Sequence, residues 1–249
     1  MHEERSQSGQ PIYRYDKPAK ELQIPEVHAE CCEQITRHVK RHIGPVKTVL
    51  HEILSNLVHI DVLLVEPTPA QPFYTLVTSG MSDRPMSAPK QAAGCEYAEL
   101  VIRLPATWPI PATGEVLGGD KTPDSHYWPI GLLKMLARFP HKYETWLWAG
   151  HTMPNGDPPK PWSPNTELCG VVLFPSITLP KSFMKLAVHD NKQINFLSVY
   201  PIYKEEMDLK LKKGSDALVA QFERIRVTDV LNLTRRNSCA KRWWNFGSS

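Results

Sequence analysis

Phe73-Tyr74-Thr75-Leu76-Val77-Thr78-Ser79-Gly80-Met81-Ser82-Asp83 is the stretch on which the fold of this chain turns. Apart from Leu76, its first six residues are aromatic or β-branched, and this composition predicts a strand over Phe73 to Thr78. Ser79 to Asp83 then sets a glycine among small hydroxyl residues, the chemistry of a chain leaving regular structure. A loop at a strand end can present side chains to a partner, which makes Ser79, Met81, Asp83 and Arg84 contact candidates, with Tyr74 beside them. A purely local reading stands next to this one: Asp83 and the two serines can hydrogen-bond their own backbone and fix a turn.

Working upstream, Val46 to Ile53 and Val58 to Val65 are β-rich runs separated by the turn-compatible Ser55-Asn56, which predicts a hairpin. Downstream, Leu100, Ile102 and Leu104 alternate with Glu99, Val101 and Arg103, as in a strand with one buried face. The same alternation turns Asp61 outward or to a strand edge. Trp146 to Gly150, Leu168 to Phe174, Met184 to His189 and Ile194 to Tyr203 read as further strands.

Helical spacing appears three times. Pro25 can open a helix in which Val27, Cys31, Ile35, Val39 and Ile43 form one apolar stripe, ended by Gly44-Pro45. Leu132, Leu133, Leu136 and Phe139 mark a second over Trp128 to Phe139, with Pro140 expected to stop it. Lys204 to Arg226 carries Met207, Leu211, Leu218, Phe222 and Ile225 on one face, broken at Gly214-Ser215 into two helices. Strands and helices therefore alternate without a flexible linker. The fold class is α/β, in the broad sense that includes α+β: a single domain with a mixed, largely antiparallel β-sheet flanked by helices 28 to 43, 128 to 139 and 205 to 226. Residues 1–24 read as a loosely held arm, 25–234 as the domain and 235–249 as a basic, aromatic tail.

Composition narrows the function. The 249 residues are 41% hydrophobic and 22% charged, which is ordinary globular usage rather than disorder. A net charge of +3, from 29 basic and 26 acidic side chains mixed along the chain, is too weak to imply nucleic acid. The longest apolar runs, such as Ile60 to Val65, fall far short of a membrane span of about 20 residues. Five cysteines, an odd number with a vicinal pair at Cys31-Cys32, fit a reducing compartment, and the polar start lacks a secretory h-region, so a cytoplasmic protein is expected.

The candidate chemistry is thin. His28, Cys31 or Cys32, His38 and His42 have helical spacing that could hold a metal, but Cys31 lies on the apolar stripe and His38 and His42 are expected to face solvent, so no metal or cofactor is expected. His151, beside Trp146 and Trp148, could be a general base or a contact residue, or a structural histidine at a strand end. No nucleophile elbow or P-loop appears; Leu117 to Thr122 lacks the P-loop spacing. Arg235, Arg236, Lys241 and Arg242 with Trp243, Trp244 and Phe246 could bind nucleic acid or dock on the domain, and docking is the expectation.

The decisive stretch also resembles a known family. Phe73 to Asp83, preceded by His59-Ile60-Asp61-Val62, is similar to the suppressor-of-fused domain. The resemblance continues in order through Glu99-Leu100, Leu104-Pro105, Trp108, Leu132 to Arg138, Thr145-Trp146, Gly150-His151-Thr152, Leu168 to Leu173, Ile194 to Leu197, Val199 to Tyr203 and Glu205-Glu206. It covers roughly residues 28 to 226. In animals the domain is the N-terminal half of a two-domain cytoplasmic repressor that grips an extended peptide of Gli transcription factors. Bacterial members are single domains, many acting as immunity proteins against toxins, often nucleases. The resemblance implies a non-enzymatic protein whose partner is another protein, a toxin in the bacterial setting, with acidic and tyrosine positions near Tyr74 and Asp83 at the contact. Loop residues Trp108, Trp162, Met81, Arg84 and Met86 are the expected anchors, since aromatic residues and arginine concentrate binding energy.

Overall fold

The computed structural model describes residues 4–15, 17–18, 31–51, 58–110 and 124–240, with the side chain of Asp124 set aside. In chain order these hold β1 (Glu4–Arg5), β2 (Pro11–Ile12), α1 (Cys32–His42), β3 (Val46–Leu50), β4 (Asp61–Val65), β5 (Phe73–Ser79), β6 (Ala98–Pro105) and α2 (Asp124–Tyr143). There follow β7 (Thr152–Pro154), β8 (Gly170–Phe174), β9 (Lys185–His189), β10 (Lys192–Ile202), α3 (Lys204–Lys213) and α4 (Ser215–Ile225).

Alternation of apolar side chains lets one sheet pack helices against both of its faces. Eight strands pair in the order β3-β4-β5-β6-β10-β8-β7, with β9 also on β10. The β10–β6 pair is parallel and the others are antiparallel. Leu76, Leu100, Ile102 and Val199 face one way, against Leu132, Leu133 and Leu136 of α2. Val77, Val101 and Phe196 face the other way, against Ile35 and Val39 of α1. Farther along that second face, Val172, Tyr200 and Ile202 meet Met207, Leu218 and Phe222 of α3 and α4. The mixed sheet covered by helices is as the strand and helix pattern predicts. At the β3 rim the ladder slips between Val46 and Thr48, and the bulged, exposed Lys47 stands 3.6 Å from Glu66.

Several local expectations change. Residues 4–15 form the β1–β2 hairpin, and it is tied down: Ser8 N–H donates to Leu211 O at 3.1 Å, and the hydroxyls of Tyr15 and Thr145 share a hydrogen bond of 2.6 Å. Trp146 to Gly150 is not a strand; Gly150 takes a positive φ of 87°, and pairing resumes at Thr152. Pro140 does not stop α2, which runs three residues farther because Phe139 and Tyr143 pack on each other and on Tyr15. His38 is buried rather than solvated, stacked on Phe183 and Phe196, because the turn at Lys181–Phe183 covers α1. The helix start at Pro25, His28, the turn at Ser55-Asn56, Leu117 to Thr122 and the tail from Lys241 lie outside the described residues.

Candidate functional site

The largest departure from the sequence reading lies in β6. Glu99 and Arg103 belong to a face covered by helix, and both side chains are 0% exposed. Burying such groups costs several kcal/mol unless their hydrogen bonds are met, and here they are. Arg103 donates to Thr75 Oγ1 at 3.3 Å, Thr178 Oγ1 at 2.7 Å and Gln71 Oε1 at 2.7 Å, with its guanidinium 4.5 Å over the Phe73 ring. Thr178 passes the network on to Asp229, which also accepts from Ser176 and Ser198.

Glu99 does something different: it shapes the loop after β5. Its Oε1 accepts from Gly80 N–H at 3.1 Å, Ser82 N–H at 3.0 Å and the Ser82 hydroxyl at 2.6 Å, and its Oε2 accepts from Thr78 Oγ1 at 2.6 Å. Burial pushes its pKa up, outweighing the lowering effect of these donors, and no cation faces it among the described residues. Gly80 is fixed on its other side as well. At φ 119° it lies so close to the His59 carbonyl that a Cβ would stand 1.9 Å from the oxygen, so only glycine fits. His141 meets the loop from α2, its Nε2 2.9 Å from Met81 O.

This cradle sorts the candidate residues. Ser79 and Met81 point inward and are buried, so neither offers a side chain to solvent. Asp83 and Arg84 are partly exposed, next to exposed Pro85 and Ser87. Tyr74 is partly buried and packs on the α2 side at the far end of β5, about 17 Å of strand from Ser79, so it does not join the loop. Of the expected loop anchors, Met81, Met86 and Trp108 are core residues, and Trp162 stacks on Trp128 at 6.1 Å. Arg84 and Trp162 keep partly exposed loop positions, although Trp162 packs against the core. For Met81 and Met86 the cause is that the loop after β5 folds back over the α2 side of the core.

His151 lies three strands across the sheet, where Leu173 N–H donates to its carbonyl and its ring meets Trp146 edge-on at 4.6 Å. Burial, helped by the Lys210 charge, lowers its pKa to about 4. It is neutral at pH 7 and a weak base there. Arg235, counted with the basic tail, is instead inside the domain: it binds Glu206 through Nη1–Oε1 at 2.7 Å and Nη2–Oε2 at 2.5 Å. Ser238 and Tyr203 N–H groups complete the Glu206 shell. Sequence reasoning missed Glu99; its one visible signal is a lone acid inside an apolar strand.

The family model for suppressor of fused protein (SUFU) matches residues 56–236, well over half the chain. Among solved structures, a protein described as a SUFU homolog from Neisseria gonorrhoeae FA 1090 superposes with a TM-score of 0.58 at 16% identity, over 84% of this chain and 97% of that one. The Sufu–Fu complex superposes with a TM-score of 0.55 at 12% identity, over 86% of this chain and 93% of that one. No curated protein sequence matches. The two structures share the fold, and the matched residues run from the strand before the cradle to the Glu206–Arg235 pair, so the chain belongs to the suppressor-of-fused family.

Proposed function

We propose that this chain acts by stoichiometric binding to another protein, and that the partner is a toxin which it neutralises inside the cytoplasm. The observation that carries this reading is the cradled loop. Glu99 accepts four hydrogen bonds, two from the Gly80 and Ser82 backbone N–H groups and two from the Ser82 and Thr78 hydroxyls, and the loop then leads outward to Asp83 and Arg84. A contact held on a preformed loop loses little freedom on binding, which is where affinity is gained. A partner solved with a relative, in the Sufu–Fu complex, supports binding as the mode of action. The enzyme alternative needs His151 as a base, and a histidine held near 4 is poorly matched to neutral pH.

The test has two arms. Proteins co-purifying with the chain from its native host are identified, and their affinity is compared for wild type and Asp83→Lys. Loss of about thirtyfold or more in affinity, with unfolding unchanged, is the expected result. A partner that is not a toxin removes the immunity role. Unchanged affinity moves the contact elsewhere, and turnover of a substrate abolished by His151→Ala sinks the binding mode itself.

A further inference from the structure

Three side chains of metal-ligating type meet where β4 begins. Asp61, its first residue, has a side chain only 10% exposed, and an imidazole approaches each of its oxygens. His51 Nδ1 is 3.1 Å from Oδ2, and His59 Nε2 is 2.9 Å from Oδ1. His51 directly follows β3 and His59 lies two residues before Asp61, so it is the antiparallel β3–β4 register that gathers them. The three donor atoms all lie within 4.8 Å of one another. Around one zinc-like ion with bonds of about 2.0 to 2.2 Å, tetrahedral donors are about 3.3 Å apart, so a small inward adjustment closes the set.

A second observation points the same way. Asp61 Oδ2 has a hydrogen-bond contact with His51, whereas the buried Oδ1 has no hydrogen-bond partner among the described residues. His59 Nε2 is near enough to Oδ1 but not aligned as an N–H donor would be. A buried carboxylate oxygen left without a hydrogen bond, with a ring nitrogen beside it, is a polar atom that a bound ion would satisfy.

We propose that His51, His59 and Asp61 form a binding site for one divalent transition-metal ion of the zinc type. Two imidazoles and a carboxylate suit that class, whereas the hard ions calcium and magnesium prefer all-oxygen sets. Three protein ligands leave a fourth position for water or for a donor from a partner. One neighbouring charge opposes the ion: the Lys134 ammonium donates to the His51 carbonyl at 3.2 Å, and its field reaches Asp61. The site adjoins the cradle through the His59 carbonyl that confines Gly80. Bound metal therefore stiffens the segment against which the loop rests.

The experiment uses the full chain with any affinity tag removed and metal stripped by chelator. Zn²⁺ is titrated against a chromophoric competitor, and Co²⁺ is added separately to read its visible absorption. One equivalent is expected to bind. His51→Ala, at a side chain 70% exposed and therefore harmless to packing, is expected to weaken binding at least about tenfold. The near-isosteric Asp61→Asn does the same, and Lys134→Met tightens binding several-fold by removing the opposing charge. All five cysteines are thiols, so they are the rival ligands. A Co²⁺–thiolate charge-transfer band in the near ultraviolet overturns the assignment, as does less than one equivalent bound or an affinity that His51→Ala leaves unchanged. If Asp61→Asn fails to fold, His51→Ala and Lys134→Met still decide.

Discussion

Two buried glutamates, one in β6 and one in α3, solve the same problem in opposite ways. Glu99 is held by hydroxyls and backbone N–H groups, with no cation among the described residues, and burial raises its pKa. Glu206 is pushed up by burial too, but the hydrogen bonds and charge of Arg235 outweigh that and hold it below the usual carboxylate range. The first arrangement shapes a loop, and the second locks the chain's last described turn onto α3. A carboxylate held by neutral donors can take up a proton and stay in place: Thr78 Oγ1 also lies 3.5 Å from Leu100 O, so it can turn its own proton there and accept one from Glu99. One held by a guanidinium loses its partner's counter-charge when protonated.

The sharpest way to break the comparison is to remove Arg235. Arg235→Met leaves Glu206 buried and unpaired and is expected to cost about 3 to 5 kcal/mol in urea unfolding. A loss under about 1 kcal/mol means that water reaches Glu206. Glu99→Ala comes next, since it strands several buried donors at a cost of about 1 to 3 kcal/mol. If it costs as much as Arg235→Met, the cradle is as strong as an ion pair and the distinction between them fails.

The pH dependence tests the same contrast at smaller scale. Stability rises with pH wherever the unfolded chain binds more protons than the folded one. For Glu206, with a lowered folded pKa, the contribution is present above the unfolded value near 4.5 and is lost as pH falls below it. For Glu99, with a raised folded pKa, the contribution is present at low pH and is lost as pH climbs through and above 4.5. Relative to Glu99→Gln, wild type should therefore lose ground as pH rises across the acid range; relative to Glu206→Gln, it should gain ground. Each unit of pKa difference is worth about 1.4 kcal/mol, and unfolding midpoints at several pH values give both slopes. Slopes of the same sign would remove the comparison. Smallest of all is Asp83→Lys, outside both networks, expected to change stability by no more than about 0.5 kcal/mol. A larger loss makes Asp83 a turn residue like the serines beside it.

Much of this fold could be read from periodicity because β4, β5 and α1 carry their burial in their apolar spacing. What alternation cannot tell is whether the polar face of a strand meets water or a helix. Alternation alone would give Glu99 and Arg103 to solvent, but the loop after β5 closes over Glu99, and Gln71, Thr178 and the Phe73 ring close round Arg103. The same limit turned Asp61 outward, although it is buried between two histidines. His59 and Asp61 are two apart and so share a strand face, a visible signal, but His51 joins them only through the β3–β4 register. At the loop, glycine and hydroxyl residues correctly marked a turn, while the inward aim of Met81 depends on a hydrogen-bond acceptor seventeen or more residues away. Arg235 was legible as a charge and not as half of a pair, because its partner lies twenty-nine residues earlier.

The slip at Lys47 bears on how copies of this molecule meet one another. A strand at the rim of a sheet invites imitation, and identical strands stack edge to edge when that rim is long, straight and uncharged. Here the strand that forms the rim among the described residues has five residues, is kinked after its first, and carries an exposed ammonium. A second molecule arriving in register would set its own Lys47 against the first. The irregularity that interrupts the ladder thus works against the edge-to-edge stacking of identical strands.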